Sequence, residues 1–386
     1  MKKVALEISG LLGVQSGVSV YLRELLGRLP SVSDRIEYAL YGCFWQDFAR
    51  RIQELQIPEP ENYELLFRRL PQRLLLPLEY RLGIPIEEGF LRRRGVDLFH
   101  ATGQLLPVLR DIKTILTVHQ EPDRTAFAAD AREHFELTNV FPQAVRSASH
   151  LIAVSHATRH FLRDEFGIPD ERITVIHHAP PDIELSEEDE KRYRSWAERF
   201  GLRLPYVLSV AHLNPRKNIL VLLDAFRRFL DQTGGSAQLV LVGRSDTPYT
   251  QQVRQQISKL GLTGQVILGG EIRDRALVGE LYRHALMLGF PSLTESFGIP
   301  VIEAMKFGCP VVASDIPVMP EIAGEAALFV PPRDPEAIAA AMVRISADSA
   351  LRADLISKGR ARAKLFDWRT AAAATVDVYE KVLSKL

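Results

Sequence analysis

Short apolar runs alternate with longer amphipathic segments along almost the whole chain, and this alternation limits the folds available to it. Such runs are typical of strands buried on both faces of a parallel sheet, and the segments between them, such as 18–29 and 156–166, have helical periodicity. The pattern therefore predicts an α/β fold built from βαβ units. The runs lie at residues 4–8, 38–41, 98–100, 114–119, 151–155 and 173–176, and again at 206–210, 239–242, 266–268, 286–290, 310–314 and 327–330.

The alternation is interrupted once, by the sequence APPD at 179–182 and an acidic stretch at 184–190. A chain of 386 residues is long enough for two hydrophobic cores. We therefore predict two Rossmann-like, doubly wound domains that face a central cleft, with ligands bound at the carboxyl ends of the parallel strands. The predicted boundaries are 1–180 for the first domain, 181–200 for a linker, 201–366 for the second domain, and 367–386 for a final helix that packs back on the first domain.

Composition excludes several classes of protein. Lysine and arginine together number 48, as do aspartate and glutamate, so the formal net charge is zero and the basic footprint of a general nucleic-acid-binding protein is missing. Two cysteines, Cys43 and Cys309, are too few for a disulfide framework and suit a reducing compartment. No apolar run approaches the roughly 18 residues of a membrane-spanning helix. We expect a cytoplasmic protein that does not bind nucleic acid.

The segment FPSLTESFGIPVIEAM at 290–305 places a strand, a turn and a helix start in succession. Glu295 falls in the turn, and Glu303 falls about one and a half to two turns into the helix, so two carboxylates flank a helix N-terminus. Backbone amides around Phe297 and Gly298, at the start of this helix, would attract a phosphate or an oxygen-rich ligand, and Gly298 allows such a ligand to approach the backbone.

The two glutamates, embedded in PSLTESFGIPVIEAM and followed by GCPVVASD, resemble the corresponding motif of the retaining glycosyltransferases of family 4, which have the GT-B fold. The resemblance implies that the second domain binds the nucleotide-sugar donor and that the first domain lies on the acceptor side. It implies that Glu303 binds ribose hydroxyls, that Glu295 and the amides of Phe297 and Gly298 bind the sugar, and that Ile272 binds the base through its backbone. Ser296 and Ile299 belong to the same donor-binding turn.

The segment 206–218 resembles the part of these enzymes in which an arginine and a lysine hold the nucleotide diphosphate. Two cations beside a strand end suit a leaving diphosphate, because they stabilise negative charge that grows in the transition state. The family often has Gly-Arg or Gly-Thr where this chain has Ala211 and His212. The resemblance therefore assigns the diphosphate to Arg216 and Lys217, and leaves open whether His212 or Arg216 replaces the usual arginine.

The first domain carries weaker signals. The loop 13–19 lacks the GxGxxG dinucleotide fingerprint, but Ser16 and Gly17 match the family loop that approaches the donor phosphates. His119 ends a strand where the family commonly has a histidine near the transferred sugar. Segment 148–158 matches another family signature, and there we expect Ser155 to be a helix N-cap. His177 and His178 stand where the family has a different hinge sequence; adjacent strand residues point to opposite faces, which disfavours a metal site.

These observations predict a retaining hexosyltransferase, with His119, Glu295, Arg216 and Lys217 as its catalytic residues. The resemblance favours mannose from GDP-mannose as the donor. No well-placed carboxylate nucleophile is evident in the sequence, which favours front-face substitution as the mechanism. No Asp-x-Asp triplet occurs in the sequence, so we expect a metal-independent enzyme without a cofactor. The alternatives are a UDP-glucose or UDP-GlcNAc transferase of the same fold, a sugar-nucleotide epimerase on a GT-B scaffold, and a non-catalytic sugar-nucleotide-binding protein.

The acceptor is expected to be a glycan or a polyprenyl-diphosphate-linked oligosaccharide of lipopolysaccharide or exopolysaccharide biosynthesis. Region 68–94 interleaves seven arginines with leucines, a pattern that suits an anionic lipid surface. It predicts peripheral contact with the inner face of the membrane. The alternative is a set of helices that pack their leucines inward and leave their arginines solvated.

Overall fold

The computed structural model describes residues 1–12, 17–45, 47–70, 72–103, 106–119 and 139–384. The chain divides into two compact units. One comprises Met1–His178 together with Asp367–Leu386, and the other comprises Ala179–Phe366. Ser16, predicted to contact the donor phosphates, lies in segment 13–16, outside the described residues.

The first unit contains a parallel sheet flanked by helices. Its described strands are β1 Lys2–Glu7, β2 Ile36–Cys43, β3 Glu64–Arg68, β4 Leu98–Ala101, β5 Lys113–Val118, β6 His150–Ala153 and β7 Ile173–Val175, in the order β3-β2-β1-β4-β5-β6-β7. All four residues of β4 are buried, as expected for a strand covered on both faces. The described helices are α1 Gly17–Leu26, α2 Leu29–Val32, α3 Phe48–Glu54, α4 Gln72–Leu82, α5 Glu88–Arg93, α6 Phe141–Ser147 and α7 His156–Phe166.

The second unit repeats this architecture. Its strands, within the described residues, are β8 Tyr206–Val210, β9 Gln238–Val242, β10 Val266–Gly270, β11 Met287–Phe290, β12 Val311–Ser314 and β13 Ala327–Val330. They lie in the order β10-β9-β8-β11-β12-β13 and all pair in parallel. This is the strand order of a doubly wound dinucleotide-binding sheet, in which the order reverses between β8 and β11. The helices are α8 Glu187–Phe200, α9 Ile219–Thr233, α10 Pro248–Lys259, α11 Arg275–His284, α12 Ile299–Lys306, α13 Val318–Ala323, α14 Pro335–Ala347 and α15 Ser349–Ala363.

The last helix, α16 Trp368–Leu383, belongs to the first unit and packs against α1 and α2. Its Tyr379 is fully buried, and the hydroxyl of Tyr379 lies 2.7 Å from Nδ1 of His100 on β4. Nε2 of His100 lies 2.7 Å from the hydroxyl of Thr117 on β5. A chain of buried polar contacts therefore joins α16 to the middle of the first sheet.

The predicted strands agree with the observed ones to within two residues at each end. The strand β3 was not predicted. Segment 181–200, predicted as a linker, contains α8 instead. Ser186 and Asp189 form a capping box there, and the acidic residues occupy the first turn, where the helix dipole favours negative charge. The run of acidic residues is therefore a helix start.

Ser155 is confirmed as an N-cap: its hydroxyl accepts a hydrogen bond from the backbone N–H of Thr158 at the start of α7. Within the described segments, every helix is too short or too polar to span a bilayer.

Region 68–94 exposes apolar side chains. The exposed fraction is 44% for Leu78 and 56% for Leu82, both on α4, and 46% for the following Ile84. These three side chains do not pack inward, whereas Leu70 of the same region packs against the core of the first unit.

Candidate active site

The predicted donor residues of the second unit lie in the loops that follow β8 and β11. These two strands are neighbours in the sheet, with Val207 opposite Met287 and Leu208 opposite Leu288. Both loops leave the carboxyl ends of their strands at the point where the strand order reverses. Open α/β sheets bind their ligands at such a switch point. The topology therefore brings segment 211–218 beside segment 291–298.

At this point Glu295 is held by two cations. Its Oε1 accepts a hydrogen bond from Nζ of Lys217, and its Oε2 lies 3.1 Å from Nη1 of Arg216. The Glu295 side chain is 9% exposed and that of Lys217 is 11% exposed, so the ion pair is largely shielded from water. Lys217 Nζ also lies 5.2 Å from the ring centroid of Phe290. One carboxylate and two cations leave a local charge of one positive unit.

This environment shifts the pKa values of both partners. Burial alone would raise the pKa of Glu295, but the charges of Lys217 and Arg216 outweigh it and lower the pKa to about 2. Burial also lowers the pKa of Lys217, and Arg216 adds to this effect, while Glu295 opposes it. Glu295 is therefore ionised throughout the neutral range, and its charge is balanced from within the site.

Backbone contacts fix the two loops to each other. The N–H of Leu293 donates to the carbonyl of Arg216 at 2.8 Å, and Nη1 of Arg216 donates to the carbonyl of Thr294 at 2.9 Å. Asn218 has the left-handed conformation, with φ of 58°, and its Nδ2 donates to the carbonyl of Pro291 at 3.0 Å. The short turn that carries both cations is capped by Asn214, whose Oδ1 accepts from the N–H of Lys217 at 3.1 Å.

Arg216 and His212, the two candidates for the diphosphate-binding role, have different partners in the structure. Arg216 forms an ion pair with Glu295. Nδ1 of His212 instead accepts a hydrogen bond from the backbone N–H of Arg244 at 3.1 Å. His212 is thus tied to the loop after β9. Of the two candidates, Arg216 is the one that shares a cluster with Lys217.

The second predicted carboxylate, Glu303, lies on α12 and is 2% exposed. Its Oε1 accepts a hydrogen bond from Nη2 of Arg275, and its Oε2 accepts one from the hydroxyl of Tyr282 at 3.1 Å. Burial, and then the charge of Glu303, raise the pKa of Tyr282 well above its usual range. The tyrosine therefore stays protonated and donates.

The turn before α12 has the geometry that the sequence suggests. Gly298 is the N-cap of α12 with φ of 93°, a conformation that favours glycine, and Ile299 begins the helix. Ser296 and Phe297 are buried, and Phe297 packs edge-on against Phe366 at a centroid distance of 5.8 Å. Ile272 lies elsewhere in the unit, half-buried in the loop between β10 and α11.

In the first unit, His119 directly follows β5. Its Nδ1 lies 3.2 Å from Nε2 of His178, and its ring packs edge-on against Tyr21 at 4.6 Å. Burial lowers the pKa of His119 to about 4 and lowers that of His178 well below its usual value. Both rings are therefore neutral near pH 7. Gly17 is the exposed first residue of α1.

A group with metal-ligand chemistry occurs away from these loops. Ligand atoms of Glu190, Glu280 and His284 lie within 4.8 Å of one another. Arg283 forms ion pairs with both carboxylates, and Nε2 of His284 lies 2.9 Å from Oε2 of Glu190. The group is an ion-pair network that joins α8 to α11, and within the described residues both buried oxygens of Glu280 lack a hydrogen-bond partner.

Family models match both halves of the chain. The model "Glycosyl transferases group 1" matches residues 191–362, and "Glycosyltransferase Family 4" matches residues 15–179. The chain belongs to the family 4 and group 1 glycosyltransferases. The predicted resemblance is thereby confirmed.

This glycosyltransferase is similar to a known mannosyltransferase over nearly its full length. It is 26% identical to O-antigen chain mannosyltransferase B of Escherichia coli over 376 residues, which cover 95% of this chain and 96% of the relative.

Two solved structures share its fold. Sucrose-phosphate synthase of Thermosynechococcus elongatus has a TM-score of 0.74 at 20% identity and covers all of both chains. Anabaena HepE in complex with UDP and glucose has a TM-score of 0.71 at 20% identity, over 99% of this chain and 100% of that one. The predicted GT-B architecture of two Rossmann-like domains is confirmed.

Several residues that were not predicted as site residues contact predicted ones. His178 and Tyr21 contact His119. Arg275 and Tyr282 contact Glu303 from a different helix. A spacing of seven residues places Arg275 and Tyr282 on one face of α11. That spacing is a signal in the sequence, but it does not indicate which helix the face contacts.

Proposed function

We propose that this glycosyltransferase transfers mannose from GDP-mannose, with retention of configuration, to a glycan or lipid-linked oligosaccharide in surface polysaccharide biosynthesis. The observation that carries the proposal is the cluster of Arg216, Lys217 and Glu295 at the switch point of the second sheet. The mannosyl donor is supported by the E. coli relative, whose name is that of an O-antigen chain mannosyltransferase. UDP-glucose and UDP-GlcNAc are the alternative donors.

The cluster suits a sugar nucleotide because its anion can be exchanged. Glu295 forms ion pairs with both cations. An incoming diphosphate carries more negative charge than one carboxylate and competes for Arg216 and Lys217. Its binding frees oxygens of Glu295 to accept hydroxyl groups of the sugar, beside the amides of Phe297 and Gly298. In this proposal Ser296 and Ile299 shape the same turn.

The remaining donor contacts follow from the resemblance. Glu303 binds the ribose hydroxyls, and the backbone of Ile272 binds the base. The resemblance also assigns the donor phosphates to Ser16 and Gly17, and the transferred sugar to His119. Because its ring is neutral, His119 can donate a hydrogen bond to a hydroxyl group of the sugar, or accept one from it, without adding charge to the site.

The reaction we propose is front-face substitution. The bond between the anomeric carbon and the phosphate oxygen breaks, and both electrons stay on the nucleotide diphosphate. The acceptor oxygen forms its bond on the same face, and its proton passes to the phosphate oxygen that leaves. Arg216 and Lys217 stabilise the growing charge on the diphosphate. Because the protein supplies these cations itself, we propose that the reaction needs neither a divalent ion nor an organic cofactor.

Ligand-dependent thermal stability tests the donor site. GDP-mannose, GDP, UDP-glucose, UDP-GlcNAc, UDP and NAD would each be added to the wild type, to Lys217→Ala, to Glu303→Ala and to the exposed control Lys259→Ala. A ligand at about 100 times its dissociation constant adds about 2.7 kcal/mol of stability. We expect a shift with the guanosine series in the wild type and the control, and a smaller or absent shift in the two site variants. A shift in melting temperature with the uridine nucleotides alone would identify a UDP-sugar as the donor instead of GDP-mannose. The absence of a shift with every sugar nucleotide would refute the proposed donor site.

Product analysis distinguishes the alternative functions. With GDP-mannose and extracted lipid-linked acceptor, a transferase releases GDP and forms a glycoside. The anomeric coupling constants of that product, measured by NMR, report retention or inversion. An epimerase would change the sugar nucleotide without acceptor, and a non-catalytic binding protein would leave it intact. Full activity in the presence of EDTA is expected, whereas loss of activity restored by Mg²⁺ or Mn²⁺ would refute metal independence.

We also propose that region 68–94 contacts the inner face of the membrane, which makes the protein a peripheral cytoplasmic one. The region exposes Leu78, Leu82 and Ile84, and it also exposes Arg69 and Arg81. Apolar and basic side chains together are the combination that binds anionic lipid surfaces. The full-length protein should sediment with vesicles that contain phosphatidylglycerol. The variant Leu78→Ser/Leu82→Ser should stay in the supernatant, and equal sedimentation of both proteins would count against this contact.

A further inference from the structure

Glu303 is held from two sides by one helix. Arg275 is the first residue of α11 and Tyr282 lies seven residues later, so both side chains project from the face of α11 that packs against α12. Nη2 of Arg275 donates to Oε1 of Glu303, and the hydroxyl of Tyr282 donates to Oε2. Each carboxylate oxygen thus has one protein partner.

With these two contacts in place, the Glu303 carboxylate can still accept further hydrogen bonds. An ionised carboxylate offers about four lone-pair sites, and the two protein donors use one on each oxygen. The free site on each oxygen can accept a hydroxyl group, which matches the two neighbouring hydroxyls of a ribose. The protein contacts also fix the plane of the carboxylate, because both of its oxygens are anchored.

The charge of Arg275 is needed for this arrangement. Glu303 is 2% exposed, and a carboxylate buried to this extent is costly unless a cation and hydrogen bonds compensate its charge. Tyr282 supplies a hydrogen bond but no charge. The Arg275 side chain is 26% exposed, so it lies at the boundary between the buried carboxylate and solvent.

We infer that Arg275 is a positioning residue, which orients Glu303 toward the ribose and thereby makes the enzyme select ribonucleotides over deoxyribonucleotides. This inference rests on the proposed function, because it takes the ligand of Glu303 to be the ribose of a nucleoside diphosphate. In this inference Arg275 acts through Glu303.

The test is calorimetric binding of GDP against 2′-deoxy-GDP, and of UDP against 2′-deoxy-UDP, to the full-length protein. A hydroxyl group bonded to a charged acceptor changes affinity about tenfold or more, so the wild type should prefer the ribonucleotide by at least that factor. In Arg275→Met the ratio should fall toward one, while the affinity for the deoxynucleotide changes less than about twofold. Arg275→Lys, which keeps the charge but lacks the planar guanidinium, should restore part of the preference. The control Arg254→Met removes an exposed arginine from α10 and should keep the wild-type ratio.

A double-mutant cycle separates an effect that acts through Glu303 from a general disturbance of the fold. Arg275→Met leaves a buried carboxylate without its cation, whereas Arg275→Met/Glu303→Gln removes both charges. If Arg275 acts through Glu303, this double variant should have the same ribonucleotide ratio as Glu303→Gln alone. A ratio that stays at the wild-type value in Arg275→Met, or that falls further in the double variant than in Glu303→Gln, overturns the inference. Binding of neither GDP nor UDP to the wild type is a different result, which refutes the proposed function and the inference with it.

Discussion

Glu295 retains a negative charge inside the protein because Arg216 and Lys217 are close enough to balance it. The sequence identifies all three residues as candidates but does not establish their contact. Lys217 and Glu295 are 78 positions apart, and only the pairing of β8 with β11 brings their loops together. The predicted residue types therefore follow from local motifs, whereas the ion pair depends on sheet order.

Removal of the Lys217 charge should impair catalysis far more than stability. In Lys217→Met, Arg216 still neutralises Glu295, but one of the two cations proposed for the diphosphate is lost. Loss of one preorganised electrostatic contact costs about 100-fold to 1,000-fold in kcat. Steady-state kinetics with the donor identified by thermal shift should show this loss. Lys259→Met, at the exposed end of α10, should have wild-type kinetics, and a matching loss there would deny Lys217 a specific role.

Asn218 combines a backbone requirement with a side-chain requirement, and two substitutions separate them. Asn218→Ala loses the hydrogen bond to the carbonyl of Pro291 and places an alanine at φ of 58°. We expect it to lower the free energy of unfolding by about 2–4 kcal/mol. Asn218→Gly loses the same bond without the conformational strain, so its cost should be about 1 kcal/mol smaller. Urea denaturation of the full chain measures both, and equal costs would show that the left-handed conformation contributes nothing.

At the scale of single elements, the sequence predicts what depends on local pattern. The strand, turn and helix around Glu295 and the cap at Ser155 were predicted because their signals lie within a few residues. The strand β3 was missed because its sequence, ELLFR, has only three apolar residues between charged ends. The helix α8 was missed because acidic residues at a helix start resemble those of a solvated linker. The contact of Arg275 with Glu303 depends on helix packing, which local pattern does not specify.

The start of α12 provides a prediction about this element. A Cβ atom on Gly298 would lie 2.7 Å from Cε of buried Met319, and φ there is 93°. Gly261 has φ of 64° and no neighbour within 4 Å of such an atom, so it reports the conformational cost alone. We expect Gly261→Ala to destabilise by about 1 kcal/mol and Gly298→Ala by about 2 kcal/mol or more. Thermal denaturation compares them, and a larger cost at Gly261 would contradict the steric account.

At the scale of the whole molecule, the alternation of strands and helices predicts two parallel sheets, and both are observed with the doubly wound order of strands. What the sequence could not supply is the pairing of distant polar groups within a core. His100 and Tyr379 are 279 positions apart, and neither stands in a motif that points to the other. Their contact follows from the return of α16 to the first unit.

Burial of His100 should make the stability of the protein depend on pH. Burial, together with the nearby His119, lowers the pKa of His100 from 6.5 to about 3. Below pH 6.5 the unfolded chain binds a proton at this position that the folded protein does not bind, so stability falls as pH falls toward 3. One such proton contributes a slope of about 1.4 kcal/mol per pH unit.

The variant His100→Gln isolates this contribution, because glutamine keeps polar atoms but does not titrate. Between pH 6 and about 4, its free energy of unfolding should fall less steeply than that of the wild type, by about 1.4 kcal/mol per pH unit. Urea titrations at several pH values measure the two slopes. Parallel slopes would show that His100 gains its proton in the folded protein as readily as in the unfolded chain.

The return of α16 to the first unit also sets an order of events on the ribosome. The first unit is made from two stretches of chain, with the whole of Ala179–Phe366 between them. Tyr379 therefore emerges from the exit tunnel only after the second unit has been translated, and until then His100 lacks its hydrogen-bond partner on α16. The unit synthesised first is the unit completed last, so a premature stop codon within the second unit would leave both units unfinished.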